Sequence, residues 1–443
     1  MQLLIPEWIA PVAPDPAVLS GHAVAIDRGE IVEIGPAGPM LARHPGAERV
    51  ELAGHLLIPG LVNLHCHAAM TLLRGVGDDL PLERWLGERI WPLEGKLVSA
   101  DFARDGSLLA CAEMLLSGVT CVNDMYFFPE AMAEAASAFG MRAAVGIIVI
   151  EFPSAYATTA GEYLRKGLEL RDRLRDDPLV SFCLAPHAPY TVSDASFARI
   201  AELTGELGLP VHCHLHETAH EVAQSVAQHG VRPLARLERL GLLGPELLAV
   251  HAVHLNESEL ELLAAHGASV AHCPHSNLKL ASGIAPLARM LSLGINVGIG
   301  TDGAASNNRL DLLGEAHTAA LLAKGASGDA ACWPAHQVLE SMTLAGARAL
   351  GLADRIGSIE VGKSADLVAV DLSRPETVPV FDPVSHLVYA ASREHVRDVW
   401  IRGRRVVRKR QLAESASEAK LAEVVGRTRL WHNRISEILP ADS

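Results

Sequence analysis

The stretch Gly54-His-Leu-Leu-Ile-Pro-Gly-Leu-Val-Asn-Leu-His-Cys-His67 decides the fold. An apolar run, Leu56 to Leu64, is interrupted by Pro59-Gly60 and then delivers His65 and His67, one residue apart. Alternate residues of an extended strand face the same way, so both imidazoles point into one space. Imidazole is a common ligand of divalent metals, and two at a strand end make half a site. A chain with 21 histidines produces such a pair by chance as well, so the reading depends on residues further along the chain.

After this stretch, strand and helix alternate. Further strands are predicted at Thr120–Met125, Arg142–Ile150, Val180–Ala185, Pro210–His214, Leu247–His251, Ser269–Cys273 and Asn296–Gly300. The intervening segments have helical apolar spacing and end on Gly118, Gly140, Gly208, Gly267 and Gly294, where a helix C-terminus favours glycine. Eight such units over about 300 residues fit a (β/α)8 TIM barrel better than an open sheet. Outside them, residues 21–51 and the segments Gly357–Gly362, Ala365–Val370 and Val396–Arg402 show short strands broken by turns. The expected division is a composite β-sandwich domain from residues 1–55 and 357–414, a barrel over 56–356, and a C-terminal helix over 415–443. In that helix Glu418 would complete a capping box with Ser415. Its Leu421, Val424, Trp431, Ile435 and Ile438 would either cover the β domain or meet a neighbour in a homo-oligomer.

Composition narrows the function. Of 443 residues 49% are hydrophobic and 20% charged, enough to bury a large core. A net charge of −14 argues against a nucleic-acid groove. The one dense basic run, Arg402–Arg410, is interleaved with valines as a strand would be. No apolar run reaches the roughly 20 residues of a membrane span, and the start, Met1-Gln-Leu-Leu-Ile-Pro-Glu7, does not resemble a signal peptide. Seven cysteines with no Cys-x-x-Cys pair suit a reducing, cytoplasmic setting.

Active sites of such barrels lie at the C-terminal strand ends. There the chain places His65 and His67, His187, His214 with Glu217, His251, and Thr301-Asp302-Gly303. His65, His67, His214 and Asp302 make a plausible shell for one divalent ion with a position open for water. On strand five His212, His214 and His216 share a face, so spacing alone does not choose among them. His251 is favoured over His254 because it ends its apolar run.

The segments Pro59–His67, His214-Leu-His-Glu217, His251-Ala-Val-His-Leu255, Cys273-Pro-His-Ser-Asn277 and Gly300–Asn308, with the closing Gly357–Leu367, resemble the amidohydrolase superfamily, in its branch of aminohydrolases acting on rings. The resemblance implies that His65, His67, His214 and Asp302 bind a single zinc, with iron the alternative ion. It implies too that Glu217 shuttles a proton and His251 orients the attacking water. Relatives that bridge two metals use a carbamylated lysine on strand four, but this chain has no lysine between Lys166 and Lys279. Within the branch, Met70–Gly77, Glu83–Leu86, Ile90–Glu94 and Ala185–Thr191 resemble methylthioadenosine and S-adenosylhomocysteine deaminases.

That likeness implies a small-molecule purine nucleoside substrate. Glu94 would hold the ribose hydroxyls, His187 would contact the nucleoside, and Trp85 would wall the pocket; without the resemblance, Glu94 would be a surface partner of Lys96 or Arg89. The expected reaction is deamination of an adenine nucleoside to the inosine derivative and ammonia. Ile147 stands where that family would place an arginine for the S-adenosylhomocysteine carboxylate, with Arg165 or another subunit as substitute. Methylthioadenosine is therefore the expected substrate, with S-adenosylhomocysteine or adenosine as further ones. The rivals are a deaminase or chlorohydrolase of another ring (guanine, 8-oxoguanine, s-triazine), a mononuclear amidase or imidase, and a non-catalytic scaffold.

Overall fold

A computed structural model describes residues 1–439. Eight parallel strands, each paired with the next in sequence, form the barrel: β1 (Leu61–Cys66), β2 (Val119–Asp124), β3 (Arg142–Val149), β4 (Val180–Pro186), β5 (Val211–Leu215), β6 (Leu247–His251), β7 (Ser269–His272) and β8 (Asn296–Ile299). The N–H groups of Thr301 and Asp302, just past β8, both donate to the His65 carbonyl at 3.1 and 3.0 Å, tying the last strand to the first at the C-terminal rim. The glycines after the helices, Gly118, Gly140, Gly208, Gly267 and Gly294, all have left-handed φ between +63° and +92°, a conformation that ends a helix at little steric cost in glycine.

The apolar run at the chain's centre divides between two sheets. Residues Glu48–Pro59 form a strand of the outer sheet, and β1 begins at Leu61. Gly60 makes the crossing. Its N–H donates to the Asp366 carbonyl, and a Cβ there would lie 2.1 Å from Thr120 Oγ1.

Both chain ends build the outer sheet. Its order is Gln411–Leu412, Arg404–Arg408, Val396–Ile401, Leu367–Asp371, Glu48–Pro59, Gln2–Ile9, His22–Asp27, Glu30–Pro36, with Leu19–Ser20 paired to Gln2–Ile9. Only the pair of Gln2–Ile9 with Glu48–Pro59 is parallel. Trp400 and Leu367 share one buried cluster with Ile26 and Ile31 from the far side of the ladder. Strands from both chain ends thus bury one shared cluster, while Leu3, Ala23 and Ala25 form another with Met40. Three of the six basic residues of the run pair within the chain: Arg405 with Asp398, Arg404 with Glu414, and Arg410 with Glu394.

The helix Ser415–Ile438 packs mainly on the barrel rather than over the β domain. Trp431 and Ile435 pack with Phe102 of the helix Ala100–Leu116 and with the 82–98 segment, and the indole N–H of Trp431 donates to Asp105 at 3.0 Å. Ser415 is the first helical residue and Glu414 stands at the cap position without a side-chain capping bond; the capping box expected of Ser415 and Glu418 rests on a side chain outside those described. Residues 440–443 lie outside those described. Among the described residues no helix is long and apolar enough to cross a membrane.

Candidate active site

Four donors converge at the C-terminal rim. Asp302 Oδ1 lies 3.2 Å from His65 Nε2 and 3.3 Å from His67 Nε2, and His214 Nε2 lies 3.2 Å from the Nε2 atoms of both. Ligands about 2.0–2.2 Å from one shared ion and roughly 90–110° apart stand about 3.0–3.5 Å from each other, so the spacing matches. The proton inventory points the same way. His67 Nδ1 donates to the Met125 carbonyl and His214 Nδ1 to the His187 carbonyl, which leaves each Nε2 with a bare lone pair. Bare nitrogens at that distance repel unless a cation sits between them. Burial pushes the His65 imidazole down to about 4 and His214 well below its ordinary value, so both are neutral, as ligation requires. The donor set fits a metal ion.

The histidines of β5 separate by contact. His212 Nε2 meets His65 Nδ1 at 2.8 Å, behind the donors. His216, at φ +54°, accepts from the Leu234 N–H. Only His214 reaches the ring of donors. His251 also holds a left-handed φ of +70° at its strand end, and its Nδ1 meets Asn277 Oδ1 at 2.8 Å. With that N–H engaged, Nε2 is an acceptor, 3.8 Å from Glu217 Oε2. His254 instead turns away to the Ser282 carbonyl.

Glu217 is buried beside this cluster, with Ser282 Oγ as a donor at 3.4 Å. Burial first, and the nearby Asp302 charge second, push its carboxyl up to about 8, so it is protonated at neutral pH. Its backbone N–H donates to Glu221, which also accepts from the His216 N–H and so fixes the turn presenting Glu217.

These groups open into one cavity of about 680 Å³ whose wall includes His67, His187, His214, Glu217, His251 and Asp302. Across the cavity stands a helix running Leu82–Leu97 with a wide π turn over Trp85–Ile90. Pro92 lacks an N–H and its ring crowds the preceding turn, which accounts for the widening; such turns recur at functional sites. Trp85 is anchored by its indole N–H to the Val76 carbonyl at 3.2 Å and lines the cavity. Glu94 forms no pair with Lys96 or Arg89. It lines the cavity and accepts from the Tyr126 hydroxyl at 2.6 Å, and burial raises it to about 7 against that hydrogen bond. Tyr126 was not anticipated, although its place just beyond β2 is a rim position. His187 lines the same wall, its Nδ1 2.9 Å from Thr191 Oγ1, and burial lowers it to about 3.

Contrary to the sequence expectation, Ile147 does not face the cavity; it packs outward against Gly167, where a Cβ would lie 2.2 Å from Ile147 Cγ2. The cavity side of β3 and the loop after it presents Ile148, Ile150 and Phe152. Arg165 is exposed and paired with Glu169. Among the described residues no lysine or arginine lines the cavity.

The amidohydrolase family model matches residues 56–406. A 5-methylthioadenosine/S-adenosylhomocysteine deaminase of Teredinibacter turnerae is 46% identical over 97% of this chain and 96% of its own. Its namesake in Syntrophobacter fumaroxidans is 47% identical over 93% of each. The crystal structure of a zinc-bound adenosine deaminase from Xanthomonas campestris superposes with a TM-score of 0.95 at 49% identity, covering 98% of both chains. The chain therefore belongs to the amidohydrolase family, in the branch of the methylthioadenosine/S-adenosylhomocysteine deaminases, and is a metal-dependent hydrolase acting on C–N bonds.

Proposed function

We propose that the protein hydrolyses the 6-amino group of adenine nucleosides, 5′-methylthioadenosine foremost, giving the inosine derivative and ammonia. The observation that carries this reading is one cavity with a metal-type donor cluster and a protonated Glu217 on one side and the Glu94–Tyr126 pair on the other.

In this reading His65, His67, His214 and Asp302 hold one zinc per subunit, and the ion, when bound, lowers the pKa of water towards neutrality. His251 Nε2 accepts a hydrogen bond from the attacking water and aims it at C6. Asp302 takes one proton from that water, while Glu217 donates its own to N1 of the ring. Asp302 then returns its proton to the exocyclic nitrogen, which leaves as ammonia, and the hydroxyl proton at C6 goes back to Glu217. Glu94 holds the ribose hydroxyls, His187 contacts the nucleoside, and Trp85 walls the base. All seven cysteines are free and six are buried, which supports a reducing, cytoplasmic setting.

The 5′ substituent would meet Ile148, Ile150 and Phe152 with no cation among the lining residues. An α-carboxylate placed there without a partner loses more than the ~1–3 kcal/mol of a neutral polar group, so kcat/KM for S-adenosylhomocysteine is expected about 100-fold or more below that for methylthioadenosine. Ammonia release from these two, adenosine and guanine measures it. Absence of ammonia from every adenine nucleoside would sink the proposed function.

The pH profile is set by the two raised carboxyls. Glu94 must be ionised to accept two hydroxyls, so kcat/KM rises through about 7; Glu217 must be protonated to donate, so kcat/KM falls through about 8. A narrow bell is expected, and Glu94→Gln should flatten its acid limb only. An acid limb unmoved in that variant would assign it to another group.

A further inference from the structure

The two oxygens of the Asp302 carboxylate are treated differently. Oδ1 faces the imidazoles and accepts the Gly303 N–H at 2.7 Å. Oδ2 accepts two hydroxyls, Ser276 Oγ and Ser306 Oγ, each at 2.6 Å, from the turns after β7 and β8. A carboxylate oxygen has two lone pairs, and here both lone pairs of Oδ2 are taken. All three side chains are buried, so no bulk water competes for those positions.

The serines are not equivalent. Among the hydrogen bonds of the described residues, Ser276 Oγ has Asp302 Oδ2 as its acceptor and no other, whereas Ser306 Oγ also lies 3.1 Å from the Gly303 carbonyl. Ser276 is therefore bound to hold Oδ2. The hydroxyl of Ser306 can swing away to the Gly303 carbonyl, which frees one lone pair of Oδ2 for the proton that Asp302 takes in the proposed reaction.

We propose that Ser276 and Ser306 are positioning residues that hold Asp302 as a one-oxygen ligand and thereby keep a coordination position of the ion free for water. The proposal rests on the metal-site reading above. A free carboxylate rotates about its terminal torsion with little cost and readily ligates through both oxygens. In this site the second oxygen would enter the shell beside the attacking water, raising the coordination number of the ion and crowding the position the water needs.

The test is the visible absorption of the cobalt(II)-loaded protein, since cobalt absorbs strongly in four-coordinate sites and weakly as coordination number rises. Wild type, Ser276→Ala, Ser306→Ala and the double variant are compared, with kcat and KM for methylthioadenosine measured alongside. The double variant is expected to show a weaker, shifted cobalt spectrum and a kcat about 100-fold lower with KM nearly unchanged. Ser276→Ala should come closer to it than Ser306→Ala, at about tenfold. If the double variant does not fold, the two single variants decide by the same spectra. An unchanged spectrum with unchanged kcat would overturn the proposal while leaving the metal site standing. Failure of the wild-type protein to take up cobalt or zinc would overturn the metal reading itself.

Discussion

Glu217→Gln is expected to lower kcat about 10²- to 10⁴-fold with KM for methylthioadenosine close to the wild-type value. The substitution keeps the shape of the side chain and an oxygen that can accept from Ser282 Oγ, which lies 3.4 Å from Glu217 Oε1. It removes only the transferable proton. Deamination needs that proton because attack at C6 pushes charge onto the ring, and N1 must be protonated as the charge develops. Of the proposed reacting groups, Glu217 is the carboxyl that burial and the Asp302 charge hold protonated, up to about 8. Glu94, raised to about 7, is engaged by Tyr126 at the sugar side. Steady-state rates of ammonia release measure the effect. A variant that turns over at the native rate would remove Glu217 from the proton-transfer step.

Much of this site was legible in the sequence for a topological reason. Parallel strands of a barrel deliver their C-terminal ends to one rim, so His65, His67, His251 and Asp302 could be gathered from local strand endings, whereas the choice of His214 over His212 and His216 needed the family resemblance. What local pattern does not carry is which loop crosses to which. Tyr126 and Glu94 lie 32 residues apart and meet only because the 82–97 helix folds over the rim. Ser276 and Ser306 meet Asp302 because two separate turns pack side by side.

The slip at Ile147 has a different cause. A one-residue error in strand register exchanges the two faces, so an apolar residue assigned to the cavity faces the outer helix, while its neighbours Ile148 and Ile150 take its place on the inside. The proposal of an apolar 5′ site rests instead on those residues. The C-terminal helix shows the same limit. Its apolar spacing was readable, but an amphipathic face does not say which groove receives it, and the groove it fills is beside Phe102 and Asp105.

Removing both ribose hydroxyls from the substrate is expected to lower kcat/KM about 10⁴-fold, with 2′,3′-dideoxyadenosine compared against adenosine. Sites built to hydrogen-bond a substrate hydroxyl reject analogues lacking it by about 10⁴–10⁵, because buried polar groups are then left without partners. The geometry for this is present. The Tyr126 hydroxyl takes one lone pair of Glu94 Oε1, and the remaining carboxylate positions, enough for two hydroxyls, face a cavity whose nearby walls are Trp85, Ile90 and Val98. A dideoxy sugar would seal an ionised carboxylate against hydrocarbon. In Glu94→Ala no such charge is stranded, so both nucleosides should fall to similar low rates and the discrimination should shrink to about tenfold or less. The four rate constants form a double-mutant cycle that isolates the carboxylate–hydroxyl coupling from any general weakening of the lid. The ring deaminases without a ribose site would show no coupling at all, so discrimination that persists undiminished in Glu94→Ala would assign the sugar contacts to other residues and reopen the choice of substrate.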